Sequence, residues 1–251
     1  MQMTLLEMVQ DILSDMDSDE VNSHEDTAES VQVAQILRST YYAMISNRNW
    51  PHTRKTVNLY PSGSLAKPTH MKIKENFKEM CFINYDTARA TDTRKLYKKM
   101  KWLSPDEFLF VLNSRKSDES NIQTVTDDSG IELLIINNKA PEYYTSFNDE
   151  DLVFDSYDSD VDATLQQSKV QALAYVIPDW VVDDTFVPDL PPEAFTALLE
   201  EAKSRAMFKL KQVQDIKAEQ EANRQQRWLS RKAWTVNGGI VYPNYGRKSK
   251  K

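Results

Sequence analysis

The chain has 251 residues, with 31 Lys and Arg against 38 Asp and Glu, a formal net charge of −7, and 40% apolar residues. That length admits one large domain or two small ones, and the single cysteine, Cys81, excludes an internal disulfide framework. The three histidines, His24, His52 and His70, share no ligand spacing, and no run approaches the roughly 18 apolar residues of a membrane span.

These features predict no metal centre, no cofactor and no membrane partner. The opening MQMTLLEMVQDILSDMDSDE is acidic and amphipathic, without the basic start of a signal peptide, which places the protein in the cytoplasm where it is made. The charge is uneven. Residues 193–251 hold 13 basic and 6 acidic side chains, a balance of +7, whereas residues 1–192 hold 18 and 32, a balance of −14. An acidic body and a basic tail can attract each other between subunits, or the tail can seek an acidic partner.

Thr4, with Glu7 three residues on, predicts a capping box, and Leu5, Met8, Val9, Ile12, Leu13 and Met16 continue at helical spacing. The polar cluster from Asp15 to Glu20 stops that helix. A second helix is expected from near Glu25 or Asp26, with a stripe through Ala28, Val31, Ala34 or Gln35, Leu37 or Arg38, Tyr41, Met44 and Ile45. Trp50-Pro51 ends it, because proline disfavours helix in the residue before it.

From Lys55 to about Pro188 the texture becomes that of strands. Thr56–Tyr60 alternates and ends in the turn signal Pro61-Ser62-Gly63-Ser64; His70–Ile73 and Met80–Tyr85 are further candidates. Arg94–Trp102 alternates basic with apolar residues. Ser104-Pro105 opens a short helix over Phe108–Leu112. Ile122–Thr126 and Ile131–Ile136, around Asp127-Asp128-Ser129-Gly130, form the clearest hairpin. Tyr143–Phe147 and Leu152–Phe154 follow as short strands, and Ala172–Ile177 reads equally as helix or strand.

Pro192 suits a first helical position and Glu193 suits the positive end of a helix dipole. No glycine or proline then follows until Gly238. Phe195, Leu199, Ala202, Ala206, Leu210, Val213, Ile216 and Gln220 describe one apolar seam, and a run of about 40 residues would make a rod of about 60 Å. The first half reads as core and the second, with the polar stretch 217–226, as a projecting arm, solvated or covered by a second subunit, before Trp228, Leu229 and Trp234 return apolar surface beside Arg227 and Arg231; the alternative is one coiled-coil hairpin with the other helices. Asn237-Gly238-Gly239 is a joint. The segment Ile240–Tyr245, followed by Arg247, Lys248, Lys250 and Lys251, reads either as a peptide that docks by strand addition or as plain disorder.

The expected fold is therefore α+β: a helical bundle from an N-terminal helix pair (1–50) and one long C-terminal helix (191–236), a β-rich insert (51–190), and an extended tail (237–251). The acidic runs around Asp15–Asp19 and Asp155–Asp160 fail the calcium-loop pattern, since each lacks the turning glycine. They read as solvated loops or as a wall that repels DNA. No phosphate loop, dinucleotide fingerprint or zinc-protease motif is present, and no carboxylate pair is placed for acid–base work, so no enzyme is expected. The strip Arg94–Trp102 could meet nucleic acid, although an edge strand guarded by lysines accounts for it better.

The residues that carry a resemblance are Thr4–Leu13, the acidic turn Asp17–Asn22, the helix Asp26–Ile45 closing in Asn47-Arg48-Asn49-Trp50, and the return at Pro192-Glu193-Ala194-Phe195. Together they resemble the head-to-tail adaptor proteins of short-tailed bacteriophages, the tail tubular protein A group. The resemblance covers the layout of the whole chain through short motifs. It implies a structural virion protein, assembled in the host cytoplasm: a homo-oligomeric ring of twelve copies between the portal protein and the tail nozzle. DNA would pass through its centre without sequence-specific binding. It also implies portal docking by Trp234, Ile240, Val241, Tyr242, Tyr245, Arg247, Lys248, Lys250 and Lys251. Ring contacts would come from Arg224, Arg227, Trp228 and Arg231. The chain departs from the family in its polar stretch 217–226 and its extended acidic insert. The alternative is a DNA-binding accessory protein using 94–102 and the basic tail.

Overall fold

The structure, a computed structural model, describes residues 2–89, 92–148 and 150–236. Contacts divide the chain into two compact units, one of residues up to Thr53 and from Pro178 onward, the other Arg54–Ile177.

The first unit is helical. Helix α1 (Leu5–Asp15) starts in the capping box read from the sequence, with Thr4 accepting from the Glu7 amide and Glu7 accepting from the Thr4 amide. Helix α2 (Ala28–Asn47) starts at Thr27, in a second reciprocal cap with Ser30, one or two residues later than expected. Its buried face spans Val33, Ala34, Ile36, Leu37, Tyr41, Met44 and Ile45, broader than a single stripe because α2 packs on both α1 and α4. The segment 178–190 ties down the start of α1: the Leu5 amide donates to Phe186 O and the Leu6 amide to Asp184 O. Trp180 stacks between Tyr41 and Phe186, with ring centroids 5.1 Å apart on each side.

The class is α+β, but a bundle completed by one long C-terminal helix is not what the structure shows. A single 3₁₀ turn (Pro192–Ala194) leads into α4 (Phe195–Ala206), a π-turn covers Met207–Lys211, and α5 (Ile216–Val236) is a separate helix. Gln212 adopts a left-handed conformation at φ 57°, and the Val213 amide turns back to Met207 O. Asp215 then caps α5, accepting from the amides of Lys217 and Ala218. Helix α5 lies on α4 instead of projecting. Small residues make this possible: Ala202 and Ala206 on α4, and Ala218 and Ala222 on α5, are all buried, so the two backbones can approach closely. The expected seam ends at the break. Leu210 is half-buried, whereas Val213 and Ile216 are more than half exposed. Burial on α5 passes to Ala218, Ala222 and Leu229.

The second unit is built of strands. One sheet has the order β1 (Arg54–Val57), β11 (Val170–Val176), β4 (Phe77–Asp86), β5 (Tyr97–Lys99), all antiparallel. The other runs β2 (Leu59–Pro61), β3 (His70–Ile73), β10 (Asp151–Phe154), β9 (Tyr143–Thr145), β6 (Lys101–Trp102), with only the β6–β9 pair parallel. At Asn58 and at Met100 the chain passes directly from one sheet into the other, so two stretches that read as single strands are each split. The hairpin β7 (Ile122–Thr126) and β8 (Glu132–Ile136) forms with Gly130 at φ 81°, a conformation in which glycine is unstrained. Helix α3 (Pro105–Asn113) seats Phe108 and Leu112 in the core. The stretch 172–177, ambiguous by sequence, supplies most of β11, an interior strand paired with β1 on one edge and β4 on the other.

Candidate interaction site

Three polar knots lie inside the two units, and each has the geometry of a fastener. In the strand unit, Arg115 donates to Leu134 O (2.8 Å), Asp155 O (2.6 Å) and Asp155 Oδ2 (2.8 Å). Asp155 Oδ1 accepts from the amides of Glu142 and Tyr143, each at 2.9 Å. One carboxylate thereby holds the end of α3, strand β8 and the start of β9 together. Asp155, one of the acidic run, is thus a buried structural group and not a loop acid.

The second knot superficially resembles a catalytic triad. His70 Nε2 lies 2.9 Å from Asp127 Oδ1, and Ser129 Oγ donates to Asp127 Oδ2 at 2.7 Å. The order is wrong for nucleophilic attack, which needs the hydroxyl on the imidazole. Here the serine spends its proton on the aspartate, and His70 Nδ1 is buried with no partner among the described residues. Burial raises the Asp127 carboxyl, but the bonds from Ser129 and His70 outweigh it and hold the group below its ordinary range. In the helical unit, His24 donates its amide to Asp184 Oδ1 (2.8 Å), and its Nδ1 lies 2.6 Å from the same oxygen. Those two contacts hold the Asp184 carboxyl low.

Glu142 is held far below the ordinary glutamate value. The ammonium groups of Lys98 and Lys139 bring it from 4.5 to about 2. A carboxylate with a depressed folded-state pKa stabilises the fold above its unfolded pKa and loses that contribution as pH falls through the folded value. Unfolding followed between about pH 5 and pH 2 should therefore steepen in the wild type, and Glu142→Gln should flatten that slope. Identical pH profiles would remove this pair from the acid response. The effect is modest, because both lysines are more than half exposed.

Among the described residues no group of three or more His, Cys, Asp or Glu could hold a metal ion. Asp158 and Asp160 sit in a local turn, with Asp158 paired to Arg89 at 3.1 Å; Asp149 lies outside the described residues. No described helix is long and apolar enough to cross a membrane.

The basic strip divides between two sheet edges. Lys98 pairs with Glu142, Lys95 lies over the Tyr97 ring, and Met100 is buried at the corner. Lys99, Lys101 and Trp102 remain exposed.

The surfaces best suited to a partner lie on the helical unit. Arg224, Arg227 and Trp228 stand on α5, with Trp228 48% exposed. Arg224 bonds Glu221 at 2.8 Å. Arg224, Gln225 and Trp228 line an open hollow with Glu193 and Thr196, at the start of α4. Arg231 and Trp234 fall on the last turns of α5, where side chains lie outside what is described, and Ile240, Val241, Tyr242, Tyr245, Arg247, Lys248, Lys250 and Lys251 lie outside the described residues. Sequence reasoning missed the other end of the unit. Val213 and Ile216 belong to the seam expected to be buried, yet they are 52% and 58% exposed around the α4–α5 turn, beside Phe208, outside that seam and 66% exposed. The signal was available in Asp215, a capping residue inside an apparently unbroken helix.

Compared with known proteins, the sequence matches no family model and no curated protein.

Proposed function

We propose that this chain is a structural assembly protein, a head-to-tail adaptor that forms a homo-oligomeric ring between a portal and a tail, with a central passage for DNA. The projecting rod expected from the sequence lends no support, since α5 lies on α4. The observation that carries the reading is the exposed apolar surface of the helical unit: Phe208, Val213, Ile216 and Trp228, with Val181 and Val182, all about half exposed or more. A monomer seldom leaves so many large apolar groups on so small a unit, and such surface marks association. The polar knots described above are all occupied in holding strands and loops, which suits a scaffold.

The test is a mass measurement on the purified portal ring with and without this chain. A complex of fixed stoichiometry is expected, and no complex at any concentration overturns the reading. Removing residues 240–251 should leave thermal unfolding unchanged and abolish portal attachment; an intact complex from the shortened chain would remove the docking role of Ile240, Tyr242, Tyr245 and the terminal lysines.

A second reading has one observation in its favour. Lys99 on edge strand β5 and Lys101 and Trp102 on edge strand β6 are each exposed, and stacking and phosphate contact need such groups. It requires DNA affinity that falls steeply with salt; negligible binding at low salt excludes it.

A further inference from the structure

We infer that copies of this chain meet head to tail through the helical unit, the α5 face around Trp228 of one copy seating on the acidic, apolar-tipped end of the next. The inference rests on the ring reading above and names the two surfaces that would close it.

The surfaces lie at opposite ends of one unit. Lys203 of α4 pairs with Asp15 at the end of α1, and Lys211 pairs with Glu29 at the start of α2, at 3.1 Å. The α4–α5 turn therefore sits beside the α1–α2 loop. At the far end, Arg48, just past α2, donates to Gln226 O at 3.5 Å. That contact places the Trp228 region beside the other end of α2. Helix α2 has 20 residues, so the two ends are separated by about 30 Å and cannot meet within one copy.

Their chemistry is complementary. The first end exposes Phe208, Val213 and Ile216. It is rimmed by Asp17, Asp19 and Glu20 of the α1–α2 loop, all exposed, and none of these carboxylates has a partner among the described residues. Lys209 and Lys217 also stand on the turn, so the negative charge comes from the loop. The second end exposes an indole rimmed by Arg224, which is paired with Glu221, and by Arg227, with Glu193 lining the same hollow. Trp and Arg are the side chains that most often dominate binding energy at protein interfaces. A two-fold pairing of either end with itself would set arginine against arginine or carboxylate against carboxylate. Contact between unlike ends avoids this, and an interface between two different patches repeats around a ring when its rotation closes.

The experiment uses the full chain assembled on portal rings, with the bound copies counted by native mass spectrometry. Arg227→Glu, and separately the pair Asp19→Arg with Glu20→Arg, should each weaken assembly by about tenfold or more. All three sites are exposed, so thermal unfolding should stay at the wild-type value. Combining the reversals should restore assembly, which a merely damaged surface would not do. If the wild type assembles and the reversed variants assemble equally well, or if the combination is no better than either part, the head-to-tail contact is overturned and the adaptor reading stands. If the wild type binds no portal, the adaptor reading fails and this contact fails with it. Duplex DNA binding lost in Arg227→Glu, with assembly intact, would assign the face to DNA and overturn the contact.

Discussion

Arg115→Ala is expected to destabilise the strand unit by about 3–5 kcal/mol, read as a lower denaturant midpoint with an unchanged slope. The side chain is 12% exposed and that of Asp155 is 5% exposed. Truncation leaves a buried carboxylate with the amides of Glu142 and Tyr143 and a long bond from Ser156 Oγ to offset its charge, and it also removes the donor from Leu134 O and Asp155 O. Breaking one half of a buried pair costs far more than the pair contributes net, because the remaining charge has been taken out of water. Arg115→Lys should fall between the two, since an ammonium cannot reproduce the forked geometry of a guanidinium. A loss under about 1 kcal/mol for the alanine variant would mean that water replaces the guanidinium freely, and the knot would then be surface decoration.

The second large effect is expected from Ala222→Asp, which should cost about 3 kcal/mol or more. Ala222 is fully buried against α4. An aspartate there places an unpaired charge in a buried, alanine-lined contact. Gln220→Asp, two residues away on the exposed side of α5, should stay within about 0.5 kcal/mol and serves as the control. This pair of variants separates the hairpin from a projecting helix. Along a solvated arm the two substitutions would behave alike, and equal melting temperatures would mean that α5 is not packed on α4.

The hairpin also shows where sequence reading stops. Fifteen residues around the break, 203–217, hold no glycine or proline, and apolar residues keep their three- and four-residue steps across it. Periodicity alone therefore extends one helix through the turn. What ends it is local competition: Gln212 in a left-handed conformation, and Asp215 offering its carboxylate to the next two free amides. Both are short-range events, but whether they win depends on what the following helix gains by turning back. Here it gains burial of Ala218, Ala222 and Leu229, and the two alanines do not mark core positions by composition. The same logic applies to Arg94–Trp102 and Thr56–Tyr60. Alternation identified both as extended, but not the residue at which the chain would leave one sheet for another.

The candidate interface was legible on one side only. Arg224, Arg227 and Trp228 stand out as large cationic and aromatic groups in a polar stretch. Their counterpart is assembled from residues about 190 positions apart, Asp17–Glu20 and Phe208–Ile216, which only helix packing brings to the same end of the unit.

What the sequence determined unaided is whatever depends on neighbours within about four residues. It set the Thr4 capping box, the β7–β8 hairpin with its glycine, the stop at Trp50-Pro51, and the absence of nucleotide and zinc signatures. Tertiary structure alone decided the return of α5, the strand identity of 172–176, and the conversion of Asp155 from a loop acid into a buried clasp. Each of these is a choice between two locally acceptable conformations. The choice is made by surface buried against a distant part of the chain, a free energy that no local window contains.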